Sequence, residues 1–342
     1  MLIGDAGVGK TAEELAQALS AGVSRINVES EPELAILSEV ASKLGIDAQV
    51  AVRINPDVDA RTHEKITTGK RENKFGIDLA VARDVYRRAS AQPGIRLVGL
   101  ALHIGSQLTD LEPYREAYGR AVEFVRTLRD DGHPITHLDL GGGLGITYAD
   151  ERAPSPADNG AMFQDVVGGL DVAITFEPGR VIAGNAGILV TRVLFVKEGA
   201  SKQFCVVDAA MNDLIRPTLY NAYHEIVPVI EEAPGADHVK MDVVGPICES
   251  GDYIAKDRPM PPVAAGELLA IRSAGAYAAV MGSMYNTRPL APEILVNGDD
   301  YAVIRRRFTV DDMIDLELLP DWQNDTPGET AQGRGSAAGT QR

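Results

Sequence analysis

With 342 residues, 45% of them hydrophobic, the chain can bury a large core, as one large α/β domain or as two domains. Its 33 basic against 49 acidic residues leave a net charge of -16, which disfavours nucleic acid and anionic membrane as partners but leaves room for an anionic small molecule in a local basic pocket. Two cysteines, Cys205 and Cys248, give no disulfide framework, and with no secretory leader or bilayer-length apolar run the expectation is a cytoplasmic protein without a metal site.

The N-terminus matches the phosphate-binding pattern G-x-x-x-x-G-K-[ST] from Gly4 to Thr11. Only three residues precede Gly4, barely half a normal strand, so a nucleotide hydrolase stands as an alternative reading, with Phe204-Cys205-Val206-Val207-Asp208 resembling its magnesium-binding strand. Thr11-Ala12-Glu13-Glu14 and Ser30-Glu31-Pro32-Glu33 read as capping boxes that open helices to about Ser20 and about Leu44, with a short strand Arg25 to Val28 between them. A strand Ala48 to Ile54, a loop from Asn55 to Gly76, and a helix from about Leu79 to Ser90 follow. Then come a strand Leu97 to His103, a helix from about Leu111 to Arg129, a strand His137 to Leu140 ending in glycines, and a strand Val172 to Thr175. Strands and helices alternating at this pace predict parallel βα units. The strands near Met1, Arg25, Ala48, Leu97, His137 and Val172 number six, where a closed barrel needs about eight.

From Gly184 the texture changes to β-branched runs broken by turns: Ile188 to Phe195, Phe204 to Val207, His238 to Val244, Leu268 to Ile271 and Tyr301 to Arg305. The expected organisation is a βα barrel over 1–183, a β-rich domain over 184–322, and a disordered tail over 323–342.

Chemistry is expected at strand ends, where parallel α/β proteins place their sites. Phe176-Glu177-Pro178-Gly179-Arg180 closes one strand: the carboxylate can hold a proton on a heterocyclic nitrogen, and the guanidinium can take a carboxylate or phosphate. Gly141-Gly142-Gly143-Leu144-Gly145 closes another, and its glycines would let backbone N–H groups approach an anion. His103-Ile104-Gly105-Ser106 closes a third, offering an imidazole for a flat ring and a hydroxyl for a phosphate. A phosphorylated heteroaromatic cofactor would use all three. Farther on, Arg216 lies near Tyr220 in a loop, Cys248-Glu249-Ser250-Gly251-Asp252 puts a thiol beside two carboxylates, and Gly275-Ala276-Tyr277 presents a phenol between small residues. Taken singly, each has a structural reading: a core histidine, an ordinary glycine turn, an ion pair of Glu177 with Arg180, or surface turns.

In this order, His103–Ser106, Gly141–Gly145, Glu177–Arg180, Cys248–Asp252, Gly275–Tyr277 and Tyr285-Asn286-Thr287-Arg288-Pro289 resemble the diaminopimelate decarboxylases, a family of fold-type III pyridoxal-phosphate enzymes. The likeness runs from about Val8 to Trp322 and includes Gly7–Thr11, which accounts for the nucleotide-loop match. It implies a βα barrel with a β-rich domain, pyridoxal 5'-phosphate as cofactor, and conversion of meso-diaminopimelate to L-lysine and carbon dioxide. By the same resemblance Glu177 holds the pyridine nitrogen protonated and His103 stacks on the ring. Ser106, Gly141, Gly142, Gly143, the segment Glu177, Pro178, Gly179 and Arg180, and Tyr277 hold the cofactor and its phosphate. Arg180, Arg216, Tyr220, Glu249 and Tyr277 grip the substrate. Cys248 protonates the product carbon in the other subunit's site, which implies a homodimer with shared sites.

The family's cofactor lysine sits in a Tyr-Ala-x-Lys-Ala-Asn-like motif on the first barrel strand, and this sequence has no such motif; Lys10, Lys65, Lys70 and Lys74 stand in other contexts. Together with the strand count, this leads us to expect an enzyme without its opening strands, through a misplaced start codon or a genuine truncation, and with slow turnover. An inactive homologue that pairs with or regulates an active decarboxylase is the other reading of the same departure.

Overall fold

A computed structural model of the chain describes residues 7–69, 73–231 and 237–323. The first helix, α1 (Ala12–Ser20), is opened by the expected box: Thr11 accepts from the Glu14 N–H, and the Glu14 carboxylate accepts from the Thr11 N–H. The second box is only half formed. Ser30 caps α2 (Glu31–Leu44), but the Glu33 carboxylate turns to the Glu29 N–H and to Lys10. Gly45, at φ +67, ends α2 in the left-handed conformation that costs a residue without Cβ least.

Strands β1 (Ile26–Val28), β2 (Ala48–Asn55), β4 (Ile95–Ala101), β5 (His137–Asp139) and β6 (Ala173–Thr175) pair in parallel in that order, and the two-residue β3 (Ile77–Asp78) joins the C-terminal end of β2. Spatial order follows chain order, as in a βα barrel. In β2, Ala48, Val50, Ala51, Val52 and Ile54 are all buried, because a parallel sheet is covered on both faces. Helices α3 (Leu79–Ala89) and α4 (Glu112–Asp130) lie where expected; α4 buries Tyr114, Ala117, Tyr118, Ala121, Val125 and Leu128, the stripe of an amphipathic helix. Helix α5 (Pro156–Val167) escaped the sequence reading, since it buries only Met162 and Val167 and so carries almost no periodic apolar signal. Its start was legible nonetheless, in the capping box Ser155 to Asp158 with Pro156 in the first turn. The expected strand near Met1 lies outside the described residues.

After the short helix α6 (Arg180–Ala183) a second six-stranded sheet follows, in the order β11 (Tyr253–Met260), β10 (Val239–Val244), β8 (Gln203–Val207), β7 (Leu189–Glu198), β12 (Leu268–Ile271), β9 (Ile226–Pro228). Its core gathers Val193, Cys205, Val207, Met241, Val243, Ile254, Leu269 and Ile271. Strands β9 and β11 were not anticipated, and the segment from Arg216, expected as loop, is one helical turn, α7 (Arg216–Tyr220). Both sheets belong to one compact unit that extends to Met281, and a second unit begins at Gly282. That unit holds the hairpin β13 (Glu293–Asn297) and β14 (Asp300–Arg305) and the helix α8 (Val310–Ile314), with Tyr285 to Pro289 ahead of the hairpin. The expected tail falls, beyond 323, outside the described residues. No helix among the described residues is long and apolar enough to cross a membrane.

Candidate active site

Three adjacent parallel strands end side by side, and their following loops interlock. The Glu177 N–H donates to the Gly141 carbonyl at 2.8 Å, and the Gly142 N–H donates to His103 Nδ1 at 3.1 Å. The motifs after β4, β5 and β6 therefore meet through the backbone itself. A side chain on Gly142 would collide with the Glu177 carbonyl, and one on Gly143 with the Gly105 carbonyl. These glycines are thus required first by the contact between loops. Two of their N–H groups are also committed within the protein, Gly142 to His103 and Gly141 to the Asp139 carboxylate at 3.1 Å.

Because His103 Nδ1 accepts, the imidazole is neutral with its proton on Nε2. Burial, with Arg53 nearby, pushes its pKa down to about 4. Glu177 goes the other way, to about 7: burial raises it first and the Asp139 carboxylate second, against the opposing pull of Arg53 and Arg25. Beneath it lies a charged network that the sequence reading missed. Arg25 pairs with Asp139 at 3.4 Å, Asn27 donates to the same carboxylate at 3.0 Å, and Arg53 pairs with Glu29 at 2.5 Å and reaches the His103 carbonyl. Arginine and aspartate inside the runs Ala48–Asn55 and His137–Leu140 were the available signal, since buried charges require partners.

Beside this group a cavity of about 380 Å³ is lined by Ser106, Tyr148, Arg180, Arg216, Tyr220 and Tyr277, among others. Arg180 is 5% exposed and does not form the ion pair with Glu177 that one reading allowed; Nη1 donates to Tyr148 Oη at 2.6 Å and Nη2 to Ser106 Oγ at 3.1 Å. Its Cζ stands 4.7 Å from the Tyr277 ring centroid. Tyr277 is held there because Gly275 packs directly on the Ala183 carbonyl, with its N–H on the Gly184 carbonyl at 3.0 Å. Arg216, also 5% exposed, lies over the Tyr148 ring at 4.6 Å and is bonded to His224 at 2.8 Å. Both guanidiniums line the cavity, and the Nε of each is buried without a hydrogen bond.

Several expected residues stand apart. His103, Glu177 and the triple glycine do not line the cavity but adjoin it along the two loops that deliver Ser106 and Arg180. Cys248 and Glu249 do not line it either. Cys248 is exposed, and of its two neighbouring carboxylates Asp252 is turned inward to the N–H groups of Met211 and Ile247. Tyr148 and His224 were missed, as each lies outside the motifs that drew attention. Among the lysines, Lys10 is buried on Glu33 at 2.6 Å and on the carbonyls of Gly7 and Asn27, which engages it within the protein and away from a phosphate; Gly4 to Ala6 of the nucleotide-loop pattern lie outside the described residues. Lys65 donates to the Leu219 carbonyl and Lys74 lies over Phe75, whereas Lys70 is outside the described residues.

The residues present fit a phosphorylated pyridine. Glu177 is costly to ionise where it stands, and a protonated ring nitrogen would supply the cation that relieves that cost; His103 offers a neutral flat face, and Ser106 a hydroxyl.

Residues 3–184 match the family model of the pyridoxal-dependent decarboxylases, pyridoxal binding domain. The chain is 47% identical over 318 residues to the diaminopimelate decarboxylase of Zymomonas mobilis, covering 92% of this chain and 75% of that one, and 48% identical to that of Aquifex aeolicus, covering 92% and 74%. Among solved structures it resembles diaminopimelate decarboxylase of Helicobacter pylori complexed with L-lysine, with a TM-score of 0.86, 40% identity and coverage of 91% and 77%. That of M. jannaschii gives a TM-score of 0.86 at 34% identity, covering 94% and 75%. Sequence motifs, the barrel joined to a β-rich domain, and the interlocked loops around Glu177 thus agree: the chain belongs to the diaminopimelate decarboxylase family of pyridoxal-dependent decarboxylases.

Proposed function

We propose that this site decarboxylates meso-diaminopimelate to L-lysine and carbon dioxide in lysine biosynthesis, with pyridoxal 5'-phosphate as cofactor, in the cytoplasm, and that turnover is slow because no lysine of this sequence stands in the family's cofactor-anchoring motif. The observation that carries this reading is the pair of buried arginines, Arg180 and Arg216, that line one cavity, next to a carboxylic acid whose pKa is raised to about 7. Two guanidiniums suit a substrate with two carboxylates and disfavour one whose far end is only an amine. When bound, the cofactor supplies the electron sink for the pair left as carbon dioxide departs.

The chain's own groups divide the remaining work. Glu177 keeps a proton at the ring nitrogen, and His103 presses on the ring face. Ser106, Gly143, the backbone of Gly179 and Arg180, and Tyr277 seat the phosphate, while Gly141, Gly142, Glu177 and Pro178, whose N–H groups are engaged within the protein or absent, shape the loops around it. Arg180, Arg216, Tyr220 and Tyr277 hold the substrate, with Glu249 taking an ammonium group. Cys248, exposed on its own subunit, delivers a proton to the reacting carbon in the partner's site, so the working unit is a homodimer.

Carbon dioxide release from the separate stereoisomers, with pyridoxal phosphate added, tests the proposal. Release from the meso isomer that exceeds release from ornithine is the expected result. Equal release from both substrates overturns the diacid assignment.

A further inference from the structure

Behind Arg216 stands a histidine to which no role has been given. His224 is 0% exposed, and both of its ring nitrogens are engaged. Nδ1 is 2.9 Å from the Arg272 carbonyl oxygen, which can only accept, so the proton sits on Nδ1. Nε2 is 2.8 Å from Arg216 Nη1, which can only donate, so Nε2 offers a lone pair. The two neighbours demand the same neutral tautomer independently.

We propose that His224 is a positioning residue for Arg216, holding one edge of the guanidinium so that its remaining donors face an anionic group of the substrate. The inference rests on the functional reading above and deepens it. Two supports define the arginine: His224 fixes Nη1, and the Tyr148 ring lies under Cζ at 4.6 Å. Tyr148 also packs edge-on against His224, with ring centroids 5.2 Å apart at 78°, so the imidazole is itself wedged in place. The charges that act on the ring are those of Arg216, Arg180 and Arg258, while the neighbouring Glu225 carboxylate is engaged by Arg272. Arg216 contacts the ring, Arg258 donates to the His224 carbonyl at 2.7 Å, Arg180 acts from across Tyr148, and the backbone of Arg272 closes the other side. A proton on Nε2 would face the Arg216 guanidinium directly; burial first, and then the charges of Arg216, Arg180 and Arg258, push the His224 pKa down to about 4 against the opposing hydrogen bond to the Arg272 carbonyl. A neutral acceptor lets a buried cation be held without being neutralised, which a carboxylate in the same place would not.

The test uses the full chain with pyridoxal phosphate added. Calorimetric binding of pimelate, a seven-carbon diacid, is compared with that of hexanoate for the native chain, His224→Leu and His224→Gln. Nitrogen-15 NMR reads the ring of His224. The leucine variant is expected to lose about tenfold or more in pimelate affinity, since a buried donor is left unpaired, with a smaller loss for hexanoate and unchanged cofactor retention. Glutamine, which keeps a carbonyl acceptor, restores most of the affinity, and the native ring carries its proton on Nδ1 at neutral pH. Equal losses in the two variants, parallel losses for both acids, or a protonated Nε2 in the native chain would overturn the inference. Should the leucine variant fail to fold, the glutamine variant and the NMR signal decide. A native chain that binds no diacid refutes the functional reading instead, and the tautomer still reports whether His224 holds Arg216.

Discussion

Glu177 resists ionisation because it is partly buried and shares its surroundings with Asp139, while Arg25 and Arg53 are largely occupied by Asp139 and Glu29. Its role at a ring nitrogen predicts that Glu177→Gln, which keeps the shape and removes the charge, lowers carbon dioxide release roughly 100-fold while leaving pimelate binding at Arg180 and Arg216 nearly intact. Equal losses in rate and in diacid binding would contradict the assigned role. A pH series of urea melts gives a second check. His103 and His224, both held near pKa 4, are neutral in the folded chain while the unfolded chain takes up protons, so stability falls as pH drops from about 6.5 to about 4, by up to about 1.4 kcal/mol per pH unit for each ring. Glu177, raised from 4.5 to about 7, acts in the opposite sense. Its contribution is fully present below pH 4.5 and is lost as pH rises to about 7. The acid-side slope should therefore steepen in Glu177→Gln.

At the scale of elements, the site is a property of three loops that cannot be varied separately. Gly142 stands where any side chain strikes the Glu177 carbonyl, so Gly142→Ala is expected to cost about 3 kcal/mol in a denaturant melt and to weaken cofactor retention, since the loop carrying Glu177 must move. The opening of α1 shows how a local pattern can mislead. Lys10, placed by its letters to meet a phosphate, instead closes a buried pair with Glu33, and the same glutamate forgoes its capping box for that purpose. Lys10→Ala should cost about 3–5 kcal/mol, as expected when one member of a buried ion pair is removed, and should leave any binding of ATP unchanged. An ATP affinity that falls with the mutation would revive the nucleotide reading.

For the molecule as a whole, the net charge of -16 coexists with a cavity walled by two buried arginines, so binding of an anion depends on local donors against an unfavourable overall field. The proposed sharing of sites between subunits makes a prediction at this scale. Cys248→Ala and Arg216→Ala, inactive alone, should recover carbon dioxide release when co-expressed, because one mixed site in such a dimer carries neither change. Absence of recovery, with mixed dimers verified by mass spectrometry, would place Cys248 outside the partner's site.

Alternation of strands and helices, the caps of α1 and α2, and the motifs at 103–106, 141–145 and 177–180 were all legible in the amino-acid order, because each depends on local periodicity, turn chemistry or contiguous residues. Helix α5 was lost for lack of an apolar stripe, β9 because three residues carry no period, and β11 because Lys256-Asp257-Arg258-Pro259 interrupts its apolar run. The tertiary structure alone decided that Arg180 stacks on Tyr277, that Tyr148 lies between two guanidiniums, that His224 faces Arg216, and that Arg25, Arg53 and Asp139 surround Glu177. No local rule reaches these facts. They join residues from eight to more than a hundred positions apart, and it is their burial together, away from water, that gives each charge its strength and each pKa its value.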